Sequence, residues 1–315
     1  MVRQTAAKVW RNQVKNEAMT RVVSAVIMLA VYLVLVLYPG IYYFQLYLAG
    51  IAIVYLGMSE YYHLTRKYSP FENAGHLAGF LVVTSFFIDM LYNVFPELQL
   101  IWFNKYFPFI ISAYPLVAFL LFMVMIYVYS KSFNRGNFEG LLVSAAVTLF
   151  GLIYLAVPVS HFLKILTLPD RNYFILFFSV VTMMTDTGAY IAGKLMGKHK
   201  VGWSVSPNKT WEGYIGGFGF AVLSSLLLNY IWLSVTQLQA PFGTVETVFV
   251  SALLSLVAVA GDLTESAIKR DAGMKDSSNL IPGHGGILDR IDSLLFTVPF
   301  LYYYMQIREI MIRLF

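Results

Sequence analysis

Residues 245–270 read VETVFVSALLSLVAVAGDLTESAIKR, an apolar run that closes on Asp262, Glu265, Lys269 and Arg270. A bilayer's hydrocarbon core of ~30 Å takes roughly 20 largely apolar residues of helix. The stretch from 245 to 266 therefore predicts a membrane span. On a helix, Asp262, Ser266, Lys269 and Arg270 fall near one face of its end.

Working outward, further apolar blocks lie near 22–38, 41–58, 75–94, 109–128, 140–160, 173–193, 213–235 and 290–307. With 58% hydrophobic and 12% charged residues, an ordinary water-soluble globule is excluded. The expectation is an all-α integral membrane protein with nine transmembrane helices in one membrane domain. Residues 1–170 form its lipid-facing or dimer-forming part and 171–315 its catalytic part. The basic region of residues 1–21 is too long for a signal peptide, and no small-residue cleavage site follows before Pro39, so the first span is read as uncleaved.

Charge supports the span count. Of the 22 Lys and Arg residues, placing the N-terminus in the cytoplasm puts 17 on the cytoplasmic side. Lys105, Lys164, Arg171, Arg308 and Arg313 are the five outside, which is the asymmetry of the positive-inside rule. The net charge of +5 then reads as orientation against anionic lipid, with no nucleic acid implied. The absence of cysteine removes disulfides, thiolate nucleophiles and cysteine zinc sites.

Polar residues concentrate in the last 130 or so positions, where ionisable groups at membrane depth face a bundle interior or a wet cavity by default. The first cluster, Asp186-Thr187-Gly188-Ala189-Tyr190 running to Gly193 and Lys194, puts Asp186, Tyr190 and Gly193 along one helical face. It reads either as a site or as a packed helix with an Asp paired to a lysine and small-residue contacts at Gly193 and Gly197. Its GxxxxGK outline is not a phosphate loop, because Leu195 stands where Ser or Thr is required and the segment is apolar helix. The second cluster, Ser206-Pro207-Asn208-Lys209-Thr210-Trp211-Glu212-Gly213, opens a span. Ser206 or Asn208 serves there as a helix cap, or Lys209 beside the helix N-terminus meets an anion.

The third cluster continues from Gly261 through Lys275-Asp276 to Pro282-Gly283-His284-Gly285-Gly286-Ile287-Leu288-Asp289-Arg290-Ile291-Asp292. A solvated loop of mixed charge is one reading. The other is a metal–phosphate site. Asp289 and Asp292 share a helical face at i, i+3, so hard carboxylates from two helices meet, and magnesium takes such oxygens together with substrate phosphates. Lys and Arg neutralise phosphate charge. Gly283, Gly285 and Gly286 let backbone N–H groups approach an anion, or simply make a flexible turn. His284 is a hydrogen-bonded structural residue or a general base.

From Ser266 to Asp292 the chain has the form S-x-x-K-R-x4-K-D-x5-P-x-H-G-G-x2-D-R-x-D, which resembles the signature of CDP-diacylglycerol synthases, also called phosphatidate cytidylyltransferases. Asp186 to Tyr190 and Ser206 to Gly213 resemble that family's Asp-Thr-x-Ala-Tyr and Ser-Pro-x-Lys-Thr-Trp-Glu-Gly segments, in the expected order. The first 170 residues match only as hydrophobic spans.

The resemblance implies CTP and phosphatidic acid giving CDP-diacylglycerol and pyrophosphate, with Mg2+, a second monovalent cation such as K+, and a homodimer. It makes Asp262 and Asp289 the first choice of metal ligands, with Asp186, Asp276 and Asp292 in support. Lys209, Lys269, Arg270, Lys275 and Arg290 are the expected phosphate contacts, with His284 beside them. Ser206, Glu212, Tyr190, Ser266, Gly285 and Gly286 are expected to line the substrates. The attacking phosphate is already ionised near neutral pH, so positioning and charge neutralisation suffice.

Two rival readings remain. A CTP-dependent enzyme of another lipid, a CDP-archaeol synthase or polyprenol kinase, is separated by product analysis. An ion-coupled transporter is separated by uptake without CTP consumption. A chain this compact is expected in a bacterial cytoplasmic membrane, with its site near the cytoplasmic face.

Overall fold

The computed structural model describes residues 22–36, 42–95 and 139–314, with single positions at 19, 20, 38, 40, 123, 126, 127 and 130. The expected span near 109–128 and the basic stretch ahead of the first span fall almost entirely outside the described residues. So do Lys105, Lys131 and Arg135.

Among the described residues the protein is helical throughout, without strands. Every expected span that lies within them is a helix: α1 Val22–Val36, α2 Phe44–Leu64, α3 Glu72–Val94, α4 Leu141–Ile165, α5 Arg171–Met196, α6 Trp211–Thr236, α7 Thr244–Asp271 and α9 Leu294–Leu314. The one-turn α8, Leu288–Ile291, precedes the last. Five of these, α3 to α7, are long and apolar enough to cross a membrane. α1 is shorter, α2 carries Glu60 and His63, and α9 carries Pro299, Arg308, Glu309 and Arg313.

Boundaries differ from expectation at two informative places. α7 runs on to Asp271, so Lys269 and Arg270 occupy its last turn, where cations suit the helix dipole. The last span begins at Leu294 instead of near 290, because α8 ends at Ile291 and Asp292 and Ser293 link it to α9. Within α4 the backbone loosens into a π-helical stretch, Leu152–Ala156. Pro158 follows it and has no N–H to return to the Tyr154 carbonyl.

Helices α5 and α6 pack through small residues. A Cβ at Gly216 would stand 2.2 Å from that of Ala192, and one at Gly217 would stand 2.7 Å from the Thr185 carbonyl. Close backbone approach of this kind replaces the hydrophobic drive that lipid removes. Met58, Tyr62, Phe86, Met90, Leu155 and Phe178 form the centre of the core, while Ile215, Leu223, Leu227 and Tyr230 of α6 stay exposed. That apolar exterior and the long apolar helices describe an integral membrane protein.

Alternate helix ends meet. Lys67 pairs with Asp271 at 3.0 Å, Ser144 Oγ donates to the Tyr68 carbonyl and Arg270 Nε to the Val205 carbonyl. The loops after α2, α5 and α7 and the start of α4 therefore share one end of the bundle. At the other end Arg308 pairs with Glu246 at 2.6 Å and Lys164 with Asp89.

Candidate active site

The polar end is built by two loops. The first, residues 197–210, leaves α5 at Gly197 and returns through a bridge between Lys200 and Thr210. Val201 N–H donates to the Lys209 carbonyl at 3.0 Å and Trp211 N–H to the His199 carbonyl at 3.0 Å. Thr210, not Ser206 or Asn208, caps α6, accepting the Gly213 N–H at 3.1 Å. The helix starts at Trp211, and a cap is the residue immediately before the first helical one. Glu212 fastens the loop by accepting from His199 Nδ1 at 2.5 Å and from the His199 N–H.

So held, Lys209 reaches across to α7 and donates to Asp262 Oδ2 at 2.5 Å. Burial pulls its ammonium down, and the charge of Asp262 more than restores it, leaving Lys209 above its ordinary value. Asp262 also lies within electrostatic reach of Asp186 on α5 and of Asp292 ahead of α9, and Asp186 within reach of Lys209 and Arg290. Gly261 makes this possible: a Cβ there would stand 2.5 Å from the Asp292 carbonyl oxygen. Acids from the first and third sequence clusters are thereby gathered around Lys209 of the second and Arg290 of the third.

Asp289 and Asp292 lie one helical turn apart, the Asp292 N–H donating to the Leu288 carbonyl at 3.1 Å, and take different partners. Asp292 looks toward Asp262, and its Oδ1 accepts the Ser293 N–H at 2.7 Å. Asp289 Oδ1 accepts from Lys269 at 2.7 Å. Its Oδ2 accepts the Gly286 N–H at 2.8 Å, the Ser277 N–H at 3.0 Å and Ser277 Oγ at 2.8 Å. Burial raises the Asp289 carboxyl, but Lys269 and the Gly286 N–H outweigh it and hold it well below the usual carboxylate range. Lys269 also contacts Glu265, a fully buried acid.

The second loop, 272–287, turns at Gly283 and Gly285, at φ +77° and +81°, a backbone region that favours glycine. Ile281 and Gly285 form its bridge. Gly286 packs against a hydroxyl and a carboxylate of the chain itself, since a Cβ there would stand 2.1 Å from Ser277 Oγ and 2.5 Å from Glu60 Oε2. His284 Nδ1 lies 2.8 Å from Ser24 Oγ of α1, tying that helix to the turn.

The remaining expected residues spread outward. Ser266 is half-buried on α7, and Arg270, Lys275, Asp276 and Arg290 are exposed on the surrounding rim. Tyr190 is exposed, with Lys194 donating to its hydroxyl at 3.4 Å. The Ser206 carbonyl accepts the Lys209 N–H within the first loop.

Sequence reasoning missed Glu60, Ser277, Glu265 and Ser24. Glu60 carried a signal, an acid two residues beyond an apolar block. Ser277 occupies an unspecified position of the signature.

Among the described residues, no three Asp, Glu or His side chains converge tightly enough to hold a metal unaided. Asp186, Asp262 and Asp292 nevertheless outnumber the one cation, Lys209, that is bonded within their group. Such a set suits a hard ion that keeps waters and draws further oxygens from substrate phosphates. Two buried hydroxyls close by, of Tyr154 and Ser293, have no hydrogen-bond partner among the described residues.

Comparison with known proteins supplies a family. The model of the cytidylyltransferase family matches residues 19–308. The chain is 43% identical over 152 residues to the phosphatidate cytidylyltransferase of Bacillus subtilis (strain 168), covering 48% of this chain and 54% of that one. It is 39% identical over 186 residues to that of Staphylococcus haemolyticus (strain JCSC1435), covering 59% and 66%. It is 38% identical over 192 residues to that of Staphylococcus aureus (strain COL), covering 61% and 68%. The chain thus spans about half to two thirds of the length of these curated relatives.

Proposed function

We propose that this chain, which belongs to the cytidylyltransferase family, transfers the cytidylyl group of CTP to phosphatidic acid, releasing pyrophosphate and forming CDP-diacylglycerol. The observation that carries the reading is the gathering of Asp186 from the first motif and Asp262 and Asp292 from the third around Lys209 of the second and Arg290 of the third. The names of the relatives in Bacillus and Staphylococcus support the choice of substrates.

A phosphate oxygen of the lipid attacks the α-phosphorus of CTP, and the bond from that phosphorus to the bridging oxygen of the β-phosphate breaks. Magnesium, when bound, would neutralise phosphate charge. Asp262, with Asp186 and Asp292, would hold it, together with substrate oxygens. Asp289 would join them only by releasing Lys269, so its first task is to fix Lys269 and the glycine turn. Asp276 stands farther out on the rim. Lys209, Lys269, Arg270, Lys275 and Arg290 would meet the triphosphate and the lipid phosphate, with K+ as a second ion.

The positive-inside count supports a cytoplasmic N-terminus and a site at the cytoplasmic face of a bacterial inner membrane, with nine spans in all. Under this reading residues 1–170 serve lipid contact and a homodimer, and 171–315 carry catalysis.

The test is incubation of the purified protein with labelled CTP, Mg2+ and phosphatidic acid. CDP-diacylglycerol and pyrophosphate are expected, and EDTA should stop their formation. Release of CDP indicates a kinase, and no consumption of CTP by well-folded protein overturns the assignment.

A further inference from the structure

Glu60 lies near the end of α2, more than 200 residues from the signature in sequence, yet it is only 7% exposed and accepts four hydrogen bonds from that loop. Ser278 Oγ at 2.6 Å and the Ile287 N–H at 3.0 Å donate to Oε1. Ser277 Oγ at 2.9 Å and the Leu288 N–H at 2.8 Å donate to Oε2. Two donors come from each flank of the 279–286 turn, so one carboxylate closes the loop at its base.

A buried carboxylate is costly unless several donors satisfy it. Glu60 has no basic side chain within ion-pair distance among the described residues, so the loop's own N–H and O–H groups perform that task. The same loop atoms reach Asp289: the single Ser277 hydroxyl proton lies between Glu60 Oε2 and Asp289 Oδ2. Gly286 fits only because it has no side chain to strike Glu60. A second tether runs from the turn after α2, where Lys67 and Tyr68 donate to Asp271 at the end of α7. The α2–α3 hairpin therefore grips both the loop and the helix that carry the site.

We propose that Glu60 is a positioning residue for the transfer reaction: it holds residues 277–288 in the conformation that presents Asp289 and Lys269 to the substrates. The proposal rests on the cytidylyl-transfer reading for its kinetic arm alone. Glu60→Gln keeps size and shape but turns an N–H2 group toward backbone donors, leaving at least one without an acceptor.

In the purified protein, E60Q is expected to lower kcat by about 10- to 100-fold, the usual effect of losing a supporting partner, with KM for CTP changed less than about threefold. Hydrogen exchange of the substrate-free variant should rise in 277–288 while α5 and α6 stay protected. S278A, which removes one donor to Glu60 and the acceptor of the Leu280 N–H, should lower kcat to a smaller degree and raise exchange at Ile287 and Leu288, across the turn from Leu280, as well as at its own flank. It also decides the matter if E60Q does not fold. Wild-type kcat in either folded variant, or exchange that rises equally in every helix, overturns the proposal. Should the wild-type protein not use CTP and phosphatidic acid, the exchange arm still stands or falls by itself.

Discussion

Gly261 of α7 lies directly against the backbone of Asp292: a methyl group on Gly261 would stand 2.5 Å from the Asp292 carbonyl oxygen and 2.9 Å from Ser293 Cα. Both obstructing atoms are main chain and cannot swing aside. Gly261→Ala should therefore push α7 away from the α8–α9 link, at a cost of about 1–3 kcal/mol by analogy with overpacked cores. It should also separate Asp262 from Asp292. A lower melting temperature in detergent and at least a tenfold loss of CTP turnover are expected. Wild-type turnover in G261A would mean that the spacing of these two acids is not critical.

Lys209 is the cation bonded to Asp262. Lys209→Met removes both a neutralising charge beside the acids and a phosphate contact, and should reduce kcat by about 10²- to 10³-fold, as for other electrostatic stabilisers of a transition state. Lys209→Arg keeps the charge with a different geometry and should recover part of the rate. Initial rates at saturating CTP check both variants.

Asp289 gives a pH signature. Its carboxyl lies below the ordinary value of 3.8 in the folded protein, so the unfolded chain binds more protons there than the folded one. The stability contributed by Asp289 is complete above that ordinary value and is lost as pH falls below it. Melting temperatures of the wild type should fall progressively as pH drops below about 4. Asp289→Asn should begin lower and fall less over the same interval; parallel curves would contradict the assignment.

At the opposite end, Lys164 of α4 and Asp89 of α3 form a buried ion pair. Lys164→Met leaves Asp89 buried without its Lys164 partner and should destabilise the protein by about 3–5 kcal/mol, whereas D89L/K164M should recover most of that loss. Thermal melts of the single and double variants measure the difference. Equal destabilisation by both would show that the pair contributes more than charge matching.

Much of the fold was legible because membrane helices write themselves in length and hydropathy. Apolar blocks gave α1 to α7 and α9 with ends displaced by up to seven residues, and the small residues around Gly193 announced the tight α5–α6 packing. The polar clusters likewise announced a site, since charges entering apolar spans need partners. Chain boundaries were less legible at Leu288–Asp292, where helical spacing suggested one face for Asp289 and Asp292. Their partners differ: Asp289 is held by Lys269 and Ser277, and Asp292 by the Ser293 N–H.

The sequence by itself determined the membrane character, the helices and the inventory of acids and bases, because each depends on residues close together in the chain. Tertiary structure alone decided their partners. It set Lys209 on Asp262, enclosed Asp289 between Lys269 and Ser277, and brought Glu60 from α2 to the base of the glycine turn. Those pairings join residues 12 to 217 positions apart. Such contacts follow from how helices pack, and local periodicity carries no record of which helix end will face which.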